Sequence, residues 1–184
     1  IGSEYEIKQS RIGPAPADGK AVRILNRVLQ WTDHGLEWEA DQRHSELIVR
    51  HCKLDERSKA VVTPGEKREF EDRETSPDLT YEEAHRFRAI VARGNYLSQD
   101  RSDVQFAVKE LSRRMSAPKE CDWMSAKRFG RYLLNKSRSV LNFGYQEWQV
   151  GVTVWSDTDF VGCRDEFKST SGGVITFGDN CLKS

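Results

Sequence analysis

Residues 81–133, YEEAHRFRAIVARGNYLSQDRSDVQFAVKELSRRMSAPKECDWMSAKRFGRYL, decide the fold. Up to residue 98, Phe87, Ile90, Val91, Gly94 and Leu97 recur at intervals of three and four, which places them on one face of a helix. The break that follows offers Asp100 or Ser102 as an N-cap. Val104, Ala107, Val108, Leu111 and Met115 then form a second apolar stripe, ended by Ser116-Ala117-Pro118. A third helix over about 119–135 buries Trp123, Ala126, Gly130 and Leu133. Three stripes with short breaks predict a three-helix bundle, in which Gly94 permits a close crossing. The polar faces of these helices carry Lys109, Arg113, Arg114, Lys127, Arg128 and Arg131.

Toward the N-terminus the period changes from helix to strand. VRILNRVLQW (22–31) and LEWEA (36–40) alternate apolar and polar residues around Thr32-Asp33-His34-Gly35, which predicts a β-hairpin. Asp41 is placed to cap a short helix running to Cys52, whose apolar contribution is Leu47, Ile48 and Leu54. Residues 1–20, with Gly13, Pro14, Pro16 and Gly19, read as a lead-in. Residues 55–80, with Pro64-Gly65, a charged run and Pro77, read as a linker. After the bundle, SVLNFGYQ (139–146), VGVTVWSD (150–157) and GGVITFG (172–178) carry strand patterning. The expectation is an α+β chain in three parts: hairpin, helix and linker over 1–80, helical bundle over 81–138, and β-rich tail over 139–184.

Charge divides along the same lines. The 184 residues hold 29 Lys and Arg against 29 Asp and Glu, a formal net charge of zero, and the mean hydropathy is -0.71. Taken whole, that balance argues against a simple basic nucleic-acid binder. Residues 1–80 hold 13 basic and 16 acidic groups, residues 81–138 hold 13 and 7, and residues 139–184 hold 3 and 6. The positive middle points to an anionic partner. No apolar run approaches the roughly 20 residues that span a bilayer, and IGSEYEIKQS is not a signal peptide. These features, with no CxxC among Cys52, Cys121, Cys163 and Cys181, predict an intracellular chain, cytoplasmic or nuclear, without membrane partners. Cys163 and Cys181 can pair in an oxidising compartment; free thiols fit a reducing one.

Among short motifs, Trp155-Ser156-Asp157-Thr158-Asp159 ends a strand in two carboxylates. If the strand runs regularly through Asp159, both share a face and suit a hard divalent cation such as Mg²⁺; a turn at Thr158 sets them apart. Gly162 to Ser169 has the spacing of a phosphate-binding loop, but Phe167 stands where glycine is required, and its ring blocks the backbone cradle. ATP binding is therefore excluded there. His34, His44, His51 and His85 form no metal-ligand pair, and no serine sits in a GxSxG elbow.

Several segments together resemble copia-type LTR retrotransposon Pol polyproteins. Gly94, Tyr96 and Leu97 match a first helix pattern. Arg101, Asp103, Val104, Phe106, Ala107, Val108, Leu111, Ser112, Arg113, Met115 and Pro118 match the pattern R-x-D-I-x-F-A-V-x-x-L-S-R-x-M-x-x-P. Trp123, Ala126, Lys127, Arg128, Arg131, Tyr132 and Leu133 match a third, and SDTDFVGCRDEFKSTSGG resembles the entrance to the family's RNase H domain. The resemblance implies the palm exit, thumb and connection of a reverse transcriptase followed by an incomplete RNase H-like sheet. It makes Asp157 the first RNase H carboxylate and Mg²⁺ the cofactor of the intact enzyme, while Asp159 is a metal candidate on the strand parity alone. It gives the six basic residues the sugar-phosphate backbone of a template-primer or RNA–DNA hybrid as partner, with the remaining Pol segments as further partners. The polymerase Y-x-D-D turn has no counterpart here, since no Asp-Asp pair occurs. On this resemblance the upstream catalytic segments would precede Ile1 and the later RNase H acids would follow Ser184. Three readings follow: a non-catalytic nucleic-acid-binding Pol segment, a helical protein-interaction module derived from a retroelement, and a metal nuclease in which Asp157 and Asp159 act with Asp179.

Overall fold

The structure, a computed structural model, describes residues 9–66, 71–147, 151–160 and 168–184. The segment expected as one strand over 22–31 is cut in two. Strand β1 (Ala21–Ile24) and strand β2 (Arg27–Thr32) pair antiparallel around a two-residue turn. Both turn residues have positive φ, 50° at Leu25 and 65° at Asn26. Asparagine enters that region readily, whereas leucine does so at a cost; the Tyr96 hydroxyl donates to the Leu25 carbonyl at 3.3 Å and helps hold the turn.

Strand β3 (Gly35–Glu39) follows β2 as expected and then accepts a strand the sequence placed elsewhere. Strand β4 (Val140–Gly144) runs antiparallel to β3, with Gly35 opposite Gly144 and Glu39 opposite Val140. The first sheet is therefore β1-β2-β3-β4, and residues 139–146 close it instead of joining the tail. Gly35 makes this closure possible. Its φ is +149°, and a Cβ there would stand 2.0 Å from the Phe143 carbonyl oxygen.

Helix α1 (Gln42–His51) is capped by the Asp41 carboxylate, which accepts the Arg43 N–H at 2.9 Å. It ends in a Schellman motif: Lys53 has φ 55°, its N–H bonds the Arg50 carbonyl, and the Leu54 N–H bonds that of Val49. A four-residue helix α2 (Glu71–Glu74) lies within the expected linker. Helix α3 (Tyr81–Leu97) opens on a capping box, with the Thr80 hydroxyl and the Glu83 carboxylate each serving the other's backbone N–H. The T-x-x-E spacing at 80–83 carries that signal in the sequence. Helices α4 (Ser102–Ser112) and α5 (Glu120–Asn135) complete the set. Neither Asp100 nor Ser102 caps α4: Arg101 takes the N-cap position without a side-chain cap, because Asp100 is drawn away to Arg27 and Trp38.

The bundle core joins Phe87, Ile90, Val91, Val104, Val108, Phe129 and Leu133 with Ile48 of α1 and its C-cap residue Cys52. The expected three helices thus share their core with α1, which seats against α5 where Gly130 leaves room. The tail forms a second antiparallel sheet, order β5-β6-β7, from β5 (Val152–Thr158), β6 (Ser171–Phe177) and β7 (Asn180–Lys183). Side-chain amides stitch it to the first sheet. Asn180 accepts the Gly144 N–H and donates to the Gly144 carbonyl, while Gln146 bonds the Phe177 carbonyl and the Asp179 N–H. The architecture is α+β, with two antiparallel sheets beside a helical bundle. Among the described residues, no helix is long and apolar enough to cross a membrane.

Candidate nucleic-acid interface

The six basic candidates are all half-buried and fall into two sets. On α4, Lys109 and Arg113 stand four residues apart on one face, with Glu110 between them at 3.2 Å from Lys109 and 3.8 Å from Arg113. Arg113 is the C-cap of the helix, and Arg114 follows it. Lys109 also donates to the Thr170 hydroxyl of the tail and lies 5.1 Å from the centre of the exposed Phe106 ring. Its charge is thereby placed at the junction of bundle and tail.

On α5, Lys127 and Arg131 share a face at i, i+4, and Arg128 lies three residues before Arg131. Lys127 is near enough to Cys52 to favour its thiolate, yet burial dominates and pushes that thiol up to about 12. Arg128 donates to the Thr63 hydroxyl at 2.8 Å and pairs with Glu66 at 2.8 Å. The Nε atoms of Arg128 and Arg131 are buried without a hydrogen-bond partner. On α5 the Arg128 guanidinium is thus engaged by the 61–66 segment, while on α4 Lys109 reaches the tail.

Asp157 and Asp159 are exposed and have the same parity on the β5 side of the tail sheet. Asp157 faces Gly172 across the ladder and accepts the Thr158 N–H. Beyond the strand, the Asp159 N–H bonds the Thr170 carbonyl and its carboxylate accepts the Thr170 N–H in return. Asp179 is not near them: it lies past Phe177, which pairs with Val152, five ladder positions from Asp157, or about 17 Å. Among the described residues, no three His, Cys, Asp or Glu side chains gather to hold a metal. The nuclease reading that joined Asp157, Asp159 and Asp179 fails on that separation. Asp157 and Asp159 are both exposed, and each already accepts a backbone N–H. Cys52 and Cys181 carry free thiols; Cys163 and most of the Gly162–Ser169 stretch lie outside the described residues.

Two charged clusters escaped the sequence reading. Arg27 is buried, donates to Asp100 at 2.6 Å and lies 4.8 Å from the centre of the Tyr96 ring, which His44 meets at 4.4 Å. The Trp38 indole donates to the other Asp100 oxygen at 3.2 Å. This cluster fixes the first sheet on the turn between α3 and α4. Arg101 and Asp103 form the second cluster, with Tyr132. Both are structural, and each depends on a partner far along the chain, Asp100 for Arg27 and Tyr132 for Asp103. Separately, an open groove of about 400 Å³ between α1 and the end of α5, lined by Glu46, Arg50, Leu54 and Leu133, shares no residue with the basic sets.

Comparison with known proteins places these features in context. The chain is 31% identical over 110 residues to the retrovirus-related Pol polyprotein from transposon RE2 of Arabidopsis thaliana, which covers 56% of this chain and 8% of that protein. It is 32% identical over 92 residues to the corresponding polyprotein from transposon RE1 of the same plant, covering 50% of this chain and 6% of the relative. An uncharacterized mitochondrial protein of Arabidopsis thaliana is 29% identical over 102 residues, with 42% of its length covered. The chain thus spans under a tenth of the length of the two polyproteins it matches. No family model matches the chain, and no solved structure does.

Proposed function

We propose that this chain, similar over about half its length to retrotransposon Pol polyproteins, is a retroelement-derived segment that grips the sugar-phosphate backbone of an RNA–DNA hybrid or template-primer. The observation that carries the reading is that likeness. The concentration of basic side chains on α4 and α5 adds to it. Backbone contacts of this kind orient a duplex without reading its sequence. Arg128 and Arg131 are half-buried, and the part of each guanidinium that stays exposed suits phosphate oxygens. Catalysis belongs in this reading to other Pol segments. Asp157 would be the first carboxylate of an RNase H-like site that residues outside this chain complete, and Mg²⁺ would enter only there.

The test is salt-dependent binding of the purified chain to a short RNA–DNA hybrid. Affinity falls steeply with salt, and replacing Arg128 and Arg131 together by Ala lowers the log–log slope by about 1 to 2, near 0.9 for each phosphate no longer neutralised. An unchanged slope removes those side chains from the interface. The ion pairs of Lys109, Arg113 and Arg128 with Glu110 and Glu66 favour a second reading, a helical protein-interaction module whose cations serve the fold. Salt-insensitive binding to a protein, with none to the hybrid, would select it.

A further inference from the structure

Residues 61–66 do more than connect α1 to the bundle. Val61 packs against the core, and a Cβ on Gly65 would stand 3.5 Å from the Ala107 Cβ of α4. Thr63 and Glu66 both hold the Arg128 guanidinium of α5, each at 2.8 Å. The segment is therefore a strap laid over α4 and α5, and it brings a carboxylate to one of the cations assigned above to phosphate. Carboxylate and phosphate oxygens accept from a guanidinium in the same fork geometry, so both cannot use those donors at once.

We propose that the 61–66 strap is a built-in competitor for nucleic acid: Glu66 occupies Arg128 until a backbone phosphate displaces it. The proposal rests on the nucleic-acid reading of the preceding subsection. The exposures of the two side chains, 45% for Glu66 and 26% for Arg128, leave the pair open to exchange without unfolding the bundle. Partly exposed pairs are weak enough for a polyanion to replace.

The experiment compares the full chain with Glu66→Gln, Arg128→Ala and the double variant, using fluorescence anisotropy with a short RNA–DNA hybrid over a salt series. Glu66→Gln keeps the side chain's size and removes its charge. It tightens binding roughly two- to fivefold at low salt, the gain shrinks as salt rises, and it vanishes in the Arg128→Ala background. A wild-type chain that fails to bind while Glu66→Gln binds gives the same support in a stronger form. If the wild type binds and Glu66→Gln binds equally or more weakly, the strap is no competitor and the nucleic-acid reading stands. If neither binds at low salt, both are overturned.

Discussion

Arg101 is 1% exposed, and its charge is met from three directions. Its Nε and Nη2 reach the two Asp103 oxygens at 2.9 and 2.6 Å, and its Nη1 reaches the Lys136 carbonyl at 2.8 Å. The Tyr132 hydroxyl donates to the same carboxylate. Burial alone would raise the Asp103 carboxyl, but the hydrogen bonds from Arg101 and Tyr132 outweigh it and hold the group below its ordinary value. The start of α4 is thus locked to the end of α5. Arg101→Met leaves a carboxylate and a carbonyl without their partner and costs about 3 kcal/mol; Tyr132→Phe costs about 1 kcal/mol. Urea denaturation measures both, and a methionine variant as stable as the wild type would show the lock to be dispensable. The sequence displays Arg101 and Asp103 as a patterned pair, yet two charges two residues apart at a helix start read equally well as solvated. The burial of Arg101 and the grip on Asp103 depend on Lys136 and Tyr132, far along the chain.

Helix packing is more legible, because apolar periodicity is local and the four principal helices need it. Phe87, Ile90, Val91, Gly94 and Leu97 all lie inward, as their spacing requires. The stripe on α5 marks Gly130 as buried without its reason, since nothing in α5 announces α1 as the neighbour. A Cβ at Gly130 would meet the Cys52 Sγ at 2.8 Å, Leu54 Cδ1 at 3.0 Å and Cys52 Cβ at 3.1 Å; at Gly94 the nearest atom is Val108 Cγ2 at 3.1 Å. Alanine returns up to about 1 kcal/mol of helix propensity at either site. Crowding therefore decides the ranking: Gly130→Ala destabilises by about 1 to 3 kcal/mol, whereas Gly94→Ala, where the neighbours need give by only a few tenths of an ångström, costs less. Thermal melts of the two variants should separate by several degrees, and equal melting temperatures would refute the ranking. The β1–β2 turn stays hidden for the opposite reason. A leucine in the left-handed region runs against local propensity, so an uninterrupted strand is the better local reading.

Across the whole molecule, the α+β class and the helical bundle can be read from pattern, while strand partnership cannot. Residues 139–146 look like any strand, and only the glycine at position 35, a hundred residues earlier, makes room for them beside β3. The candidate interface is legible as charge but not as pairing, because Glu66, Glu110 and Thr170 reach their cations through the fold. Acid sensitivity likewise belongs to the assembled chain. Burial lowers both His44 and His51 below their usual 6.5, with Arg93 opposing the protonated form of each and Asp41 favouring that of His44. The unfolded chain therefore takes up protons first: the stability contribution is full above about pH 6.5 and is lost as pH falls toward the lowered folded values. Below the ordinary carboxylate range, loss of the Glu39–Arg138 and Asp103–Arg101 interactions adds to it. Denaturation midpoints should fall between about pH 7.5 and 5, and His44→Gln with His51→Gln should flatten that interval. A slope untouched by the double variant would place the titration elsewhere.

The amide seam between the two sheets has a dynamic consequence. Every described residue from 151 to 184 is at least partly exposed, so the tail sheet has no core of its own to open. Its attachment includes the side chains of Asn180 and Gln146, the Lys109–Thr170 bond and the bond from Gln105 to the Ser184 carbonyl. Such a region forms a cooperative unit of its own, opening at a fraction of the free energy that unfolds the helices. Breathing at the seam would release Lys109 from Thr170, so a movement of the tail alone changes the surroundings of a bundle cation while the bundle stays folded.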